Sequence, residues 1–161
     1  MQQLAKRIAE SRVVLSSLMG PQNANTYGNV HGGVIMKMVD EAGALVAMRH
    51  ARAPVVTVAV DSMSFMHPIR VGNLVLCRGE LTYVGNTSME IRVEVVAENP
   101  LEGTSLITNV AYLVYVALDD TGRPTLVPPV EFETNEEKRR ADEARQRQEY
   151  RKRQRVQETI R

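Results

Sequence analysis

Between Gly32 and Met48 the chain reads GGVIMKMVDEAGALVAM, and no other stretch limits the fold as much. From Val34 to Met48 nearly every residue is Val, Ile, Met, Ala or Leu, broken by Lys37, Asp40, Glu41 and Gly43. A helix that is apolar on most of its circumference has to be buried. Gly32 and Gly33 stand at its predicted start, where uncovered backbone amides and the helix dipole favour an oxygen anion. An aspartate two turns further on, Asp40, is costly in such surroundings unless it is paired, solvated or used.

Around this helix the pattern is that of a sheet. Residues 1–11 predict a short helix and residues 12–19 a first strand, ended by Gly20 and Pro21. Residues 22–31 form a loop rich in Asn and Gly, which tolerate the backbone angles of tight turns. The helix stops before Pro54, with Arg49 and His50 suited to its negative end. Four strands are then predicted, over 55–65, 73–84, 88–98 and 104–118. The third alternates cleanly, Met89, Ile91, Val93 and Val95 against Glu90, Arg92 and Glu94, so one face of the sheet is expected to be wet. In the second, Val75, Cys77, Leu81 and Tyr83 are expected inward, with Arg78 and Glu80 outward. Gly85 and Asn86 predict a tight hairpin, and Pro68 a break in the chain after the first of the four strands. One long helix followed by antiparallel strands is an α+β arrangement, a curved sheet wrapped around that helix. The part of the helix left uncovered would need a second copy, which predicts a homodimer.

At 161 residues the chain suffices for one packed domain, placed at 1–130. Residues 131–161 hold ten Lys or Arg and eight Asp or Glu with few large apolar side chains. Acid-base spacings such as Glu136/Arg140 and Glu143/Arg147 make this a charged, solvated helical tail. Its RKRQR run is interleaved with acids elsewhere and lacks aromatic stacking groups, so nucleic acid is not expected as a partner. A formal net charge of +1 gives no strong field toward nucleic acid or a membrane surface. The first residues lack the apolar core of a secretory signal, and residues 34–48 are too short to span a bilayer. These features predict a cytoplasmic protein without membrane attachment. Cys77 is the single cysteine, which excludes an intrachain disulfide.

Asp40 has two readings. It belongs to a polar stripe with Lys37, Glu41 and Ala44, in which Lys37 and Glu41 pair, or it is a general base tuned by apolar neighbours. Gly32 precedes it by about 12 Å of helix at 1.5 Å rise per residue, so a single carbonyl cannot meet both within one helix. If the Gly32 amide polarises a carbonyl that Asp40 serves, the two come from different subunits. The plainer use of Gly32 and Gly33 is close packing or a tight turn. Asn25 can donate and accept, and so could orient water or a carbonyl. His31, His50 and His67 form no metal-binding pair, and His31 is expected to stabilise the loop. Cys77 falls on the inward face, a core position more than a nucleophile. Ser62 and Ser64 lack a nucleophile-elbow context, and no phosphate or dinucleotide loop is present.

Taken together, ANTYGNVHGGVIMKMVDEAGA, VTVAVDSMSFMHPIRVGN, LVYVALDD and VPPV resemble the acyl-CoA thioesterases of the hotdog fold, in particular the cytosolic acyl-CoA hydrolase group, over residues 12–130. The resemblance implies a central helix wrapped by a curved antiparallel sheet, dimers assembled as trimers of dimers, and hydrolysis of fatty acyl-CoA to acid and CoA. By position it makes Asn25 and Asp40 the catalytic pair and Gly32 the carbonyl-polarising helix start, with no metal and no cofactor apart from the CoA of the substrate. It runs the pantetheine arm near Thr57 and Val58 and places the hairpin Asn86, Thr87 and Ser88 near the phosphates, with His31 and Gly33 also against the substrate. Related proteins often carry Lys or Arg where this chain has Asn86, which leaves Arg70 and Arg78 as other cations. A non-catalytic acyl-CoA sensor and an enoyl-thioester hydratase are the rival functions on the same fold.

Overall fold

The computed structural model describes residues 3–159. In chain order its elements are β1 (Lys6–Arg7), β2 (Val13–Leu18), α1 (Gly32–Ala51), β3 (Val55–Val60), β4 (Leu74–Val84), β5 (Ser88–Asn99), β6 (Thr104–Ala117), β7 (Val130–Glu131) and α2 (Asn135–Thr159). Five strands form one antiparallel sheet in the order β2-β4-β5-β6-β3, and α1 packs in its hollow against all five. β1 and β7 make a separate parallel ribbon. This is the hotdog arrangement expected from the sequence.

The local causes are plain along α1. His31 caps its start and Arg52 ends it in the left-handed region, φ 54°, just before Pro54. Ile35, Val39, Ala42 and Val46 face the sheet and are fully buried, opposite Cys77, Met89, Ile91 and Val93. Met36, Leu45 and Met48 stay exposed on the helix's other side. The C-terminal turn is pinned by Lys6 Nζ, which donates to the His50 carbonyl at 2.7 Å, and by the buried His50 ring, whose Nε2 lies 2.7 Å from the Pro128 carbonyl.

Four expectations are corrected. Residues 4–11 are not an α-helix: they extend as β1 along β7 and then make a single 3-10 turn, Ile8–Glu10, that buries Ile8. Met1 and Gln2, part of that expected helix, lie outside the described residues. The strand expected over 55–65 ends at Val60, because the chain leaves the sheet at Asp61 and the Asn109 amide captures the Ser64 carbonyl. Tyr83 is only half-buried, since a register shift between Leu81 and Tyr83 turns the strand end outward. The fourth correction concerns the outer face of the sheet, which is not left to solvent. α2 lies across it, Ala141 and Ala144 are buried, and Glu90 is only 2% exposed. The physical reason is charge: the outward acids of the sheet gather the arginines of α2. Arg140 bonds Glu80, and Arg147 turns from Glu143 to Glu90 at 2.8 Å.

The helix lies close against β4 at Gly79, where a Cβ would lie 2.8 Å from Val46 Cγ2 and 3.4 Å from the Ala42 carbonyl oxygen. Neither neighbour can retreat without moving α1. Gly79→Ala is therefore expected to lower stability by about 1–3 kcal/mol, the usual cost of overpacking. The urea midpoint of the variant checks this, and a midpoint equal to that of the parent would mean that α1 can lift from β4 freely.

Candidate active site

Asp40 sits where α1 faces β3 and β6, and its carboxylate is held from the sheet side. Thr57 Oγ1 donates to Asp40 Oδ1 at 2.7 Å. The Tyr115 hydroxyl lies 3.0 Å from the same oxygen and 2.9 Å from the Asp40 carbonyl, sharing its one hydrogen between them. Burial, reinforced by the Asp40 charge, pushes the Tyr115 phenol far above its ordinary value, so it remains a donor. Oδ2 has no hydrogen-bond partner among the described residues. A carboxylate with one oxygen tied and one free is oriented without being neutralised by a cation. Of the two readings of the helix's polar stripe, the pairing of Lys37 with Glu41 is present at 3.7 Å, and Asp40 takes no part in it.

A cavity of about 380 Å³ opens beside Asp40, lined by Met36, Val39, Thr57, Val60, Met63 and Leu113, with Lys37 at its margin. Its walls are mostly aliphatic, suited to an acyl chain in contact with one fixed acid.

At the start of α1 the two glycines differ. His31 Nδ1 accepts from the Gly33 N–H at 2.8 Å, so that amide is taken and the imidazole hydrogen rests on Nε2. The Gly32 N–H has no partner among the described residues, and the Phe65 ring lies 3.4 Å from where a Gly32 Cβ would be. Asn25 folds its own loop: its Oδ1 accepts from Tyr27 N at 2.9 Å and Asn29 N at 3.2 Å. Its NH2 group donates to nothing among the described residues.

Within one protomer these groups do not all converge. Gly32 and Asp40 lie two turns apart on one helix, as the sequence spacing requires. Val58 falls at the bulge between Thr57 and Ala59, where β3 and β6 lose register, so its backbone has no ladder partner. The Asn86 and Thr87 carbonyls accept from Val127 N and Ala117 N, each at 3.0 Å. Ser88 opens onto a different cavity, shared with Val58, Arg151, Lys152 and Arg155 of the outer face. Arg78 pairs with Glu94 at 3.7 Å, and the Arg70 backbone is bound to Asn73 Oδ1. Sequence reasoning missed Tyr115. The signal was there: it is the one phenol on the inward face of β6, and a buried hydroxyl needs a partner. It also missed Thr57 as a ligand of Asp40, which no alternation pattern reveals. Among the described residues no group of His, Cys, Asp and Glu is arranged to hold a metal.

Sequence comparison now decides the family. The thioesterase superfamily profile matches residues 27–104. An uncharacterized acyl-CoA thioester hydrolase of Bacillus subtilis is 37% identical over 80% of this chain and 74% of its own. The chain belongs to the hotdog-fold acyl-CoA thioesterases. Among solved thioesterases, an apo-hexameric acyl-CoA thioesterase superposes with a TM-score of 0.90 at 38% identity, covering 94% of this chain and 97% of that one. An acyl-CoA hydrolase of Staphylococcus aureus, solved with butyryl-CoA, CoA and CoA disulfide, gives 0.89 at 35% identity over 97% and 95% of the two chains. That enzyme has also been solved with an aspartate, an asparagine or a threonine replaced by alanine. The rat cytosolic acyl-CoA thioester hydrolase is 36% identical over 86% of this chain, which spans 37% of the length of that relative.

Cys77, the other nucleophile the sequence offers, is fully buried on β4, and burial pushes its thiol up to about 12. At pH 8 the folded protein is expected to resist a thiol-specific reagent that labels the urea-unfolded chain at once. Labelling of the native protein at the unfolded rate would place Cys77 outside the core.

Proposed function

We propose that this protein hydrolyses acyl-CoA thioesters to a carboxylic acid and CoA. The observation that carries the reading is the Asp40 carboxylate, tied at Oδ1 by Thr57 and Tyr115 and free at Oδ2 beside an aliphatic cavity. The asparagine, aspartate and threonine replaced in the Staphylococcus aureus enzyme stand in the same order and at the same intervals as Asn25, Asp40 and Thr57.

The thioester carbonyl accepts a hydrogen bond from the Gly32 N–H at the positive end of a partner's α1, which gathers the charge that develops on oxygen. Asp40 Oδ2 takes the proton of a water that adds to the carbonyl carbon, or adds there itself. In either course the C–S bond breaks, the thiolate leaves with a proton, and water supplies the hydroxyl of the acid. The free NH2 of Asn25 orients the water or the carbonyl. Thr57 and Tyr115 hold the acid. Because Gly32 and Asp40 are about 12 Å apart along one helix, the site is shared by two copies. The exposed Met36, Leu45 and Met48 give α1 an apolar side for a second subunit, and a relative solved as a hexamer supports a trimer of such dimers. No resident cofactor is needed, since CoA belongs to substrate and product. A cytoplasmic setting is supported by the relatives named cytosolic.

Asp40→Ala is expected to fold and to lower kcat by about 10²–10⁴, the usual worth of a general base, measured as thiol released from acyl-CoAs of graded chain length. Thr57→Val and Tyr115→Phe each remove a bond to a charged group and are expected to cost roughly tenfold or more. Turnover of Asp40→Ala at the parent rate would defeat the proposal. Tight acyl-CoA binding with no thiol release from the parent would indicate a sensor, and loss of enoyl absorbance without thiol release a hydratase.

A further inference from the structure

Glu90 lies in the middle of the outer sheet face, 2% exposed, and two arginines one turn apart on α2 converge on it. Arg147 Nη2 reaches Oε1 at 2.8 Å and lays its guanidinium 3.8 Å from the centre of the Tyr112 ring. Arg151 Nη2 reaches Oε2 at 2.6 Å, and Thr82 Oγ1 donates to Oε1 at 2.7 Å. Of the two, Arg151 alone reaches on to a second acid, Asp61. Its Nε and Nη2 grip both oxygens of Asp61, each at 2.8 Å. Asp61 is the first residue beyond β3, its own N–H bonded to the Tyr112 carbonyl at 3.0 Å.

Asp61 is also the root of the segment that closes over the active site. Met63 of that segment lines the Asp40 cavity, and Phe65 rests on Gly32. The segment is held midway by Asn109, through the Ser64 carbonyl, and at its far end by Val30 N donating to the Ile69 carbonyl at 2.7 Å. Its near end is held twice, by the Asp61 N–H on the Tyr112 carbonyl and by Arg151 on the Asp61 carboxylate. The Arg151 Nη1 is buried with no partner among the described residues, so holding the arginine here carries a desolvation cost.

We propose that Arg151 is a positioning residue of the acyl site: through Asp61 it fixes the start of the 61–69 segment, and so sets where Met63 and Phe65 stand against the acyl chain and the Gly32 amide. This rests on the thioesterase reading for its substrate and on the bond geometry for its mechanism. The C-terminal helix, on the face opposite α1, thereby becomes part of what decides acyl selectivity.

Arg147 and Arg151 make a matched pair for the test. Both lose a Glu90 contact when replaced, but only one loses Asp61. Arg151→Met and Asp61→Asn are expected to change the ratio of long-chain to short-chain kcat/KM by roughly tenfold or more, within what about 1 Å of misplacement costs. Both are also expected to speed amide hydrogen exchange across residues 61–69. Arg147→Met should leave the ratio and the exchange of that segment as in the parent. The double variant of Arg151 and Asp61 should be no worse than the worse single one. The proposal is overturned if Arg147→Met alters selectivity and exchange as much as Arg151→Met, or if Arg151→Met alters neither. Should Arg151→Met fail to fold, Asp61→Asn decides by the same two measurements. A parent protein that releases no thiol from any acyl-CoA would sink the hydrolase reading, and the exchange comparison would still decide the positioning.

Discussion

Gly43 lets α1 come so close to β6 that a side chain there would collide with the Tyr115 ring, and the remaining architecture follows from that approach. Because the helix has no Cβ at this point, the phenol lies across it and its hydroxyl reaches Asp40 one turn earlier. The same contact therefore packs helix against sheet and fixes the carboxylate. Asp40 can exist on an otherwise greasy helix because the sheet brings it two hydroxyl donors while leaving one oxygen open. Fold and chemistry are coupled at one place, and the polar interruption of the apolar helix is its trace in the sequence.

The two faces of the sheet are organised by different forces. Inside, α1 and the inward residues of β4, β5 and β6 form a dry core with small residues where the backbones draw near. Outside, the acids of β4 and β5 and the arginines of α2 form a network in which Glu90 is nearly inaccessible. Removing a single partner from a buried network costs more than the pair contributes over an apolar replacement. Such an arrangement specifies geometry more than it adds stability. Here it specifies the lie of α2 and, through Asp61, the departure of the chain from β3.

Much of this was legible in the residues. The apolar run and its glycine start predicted a buried helix with an open positive end; strict alternation from Met89 to Val95 predicted β5; and Pro54, Pro68 and Gly85 marked breaks by their own backbone chemistry. Asp40 stood out because a carboxylate among aliphatic side chains must be accounted for. Asn25 is a candidate from its donor and acceptor groups, and the resemblance adds Thr57 only as a neighbour of the substrate, not as the donor to Asp40 that the structure shows. The misreadings share a cause. Composition alone makes residues 4–11 a helix and leaves the helical tail in solvent, whereas the first is drawn out along β7 and the second is laid on the sheet by the acids of β4 and β5.

By itself the sequence determined which segments could be helix or strand and that the charge at Asp40 needed an explanation, since these depend on neighbours within a turn or two. Tertiary structure alone decided what Asp40 touches, which of two adjacent glycine amides stays open, and that a solvated-looking helix grips the root of an active-site loop. Those outcomes depend on groups brought together from dozens of residues away, and pairings of that kind leave no local period to read.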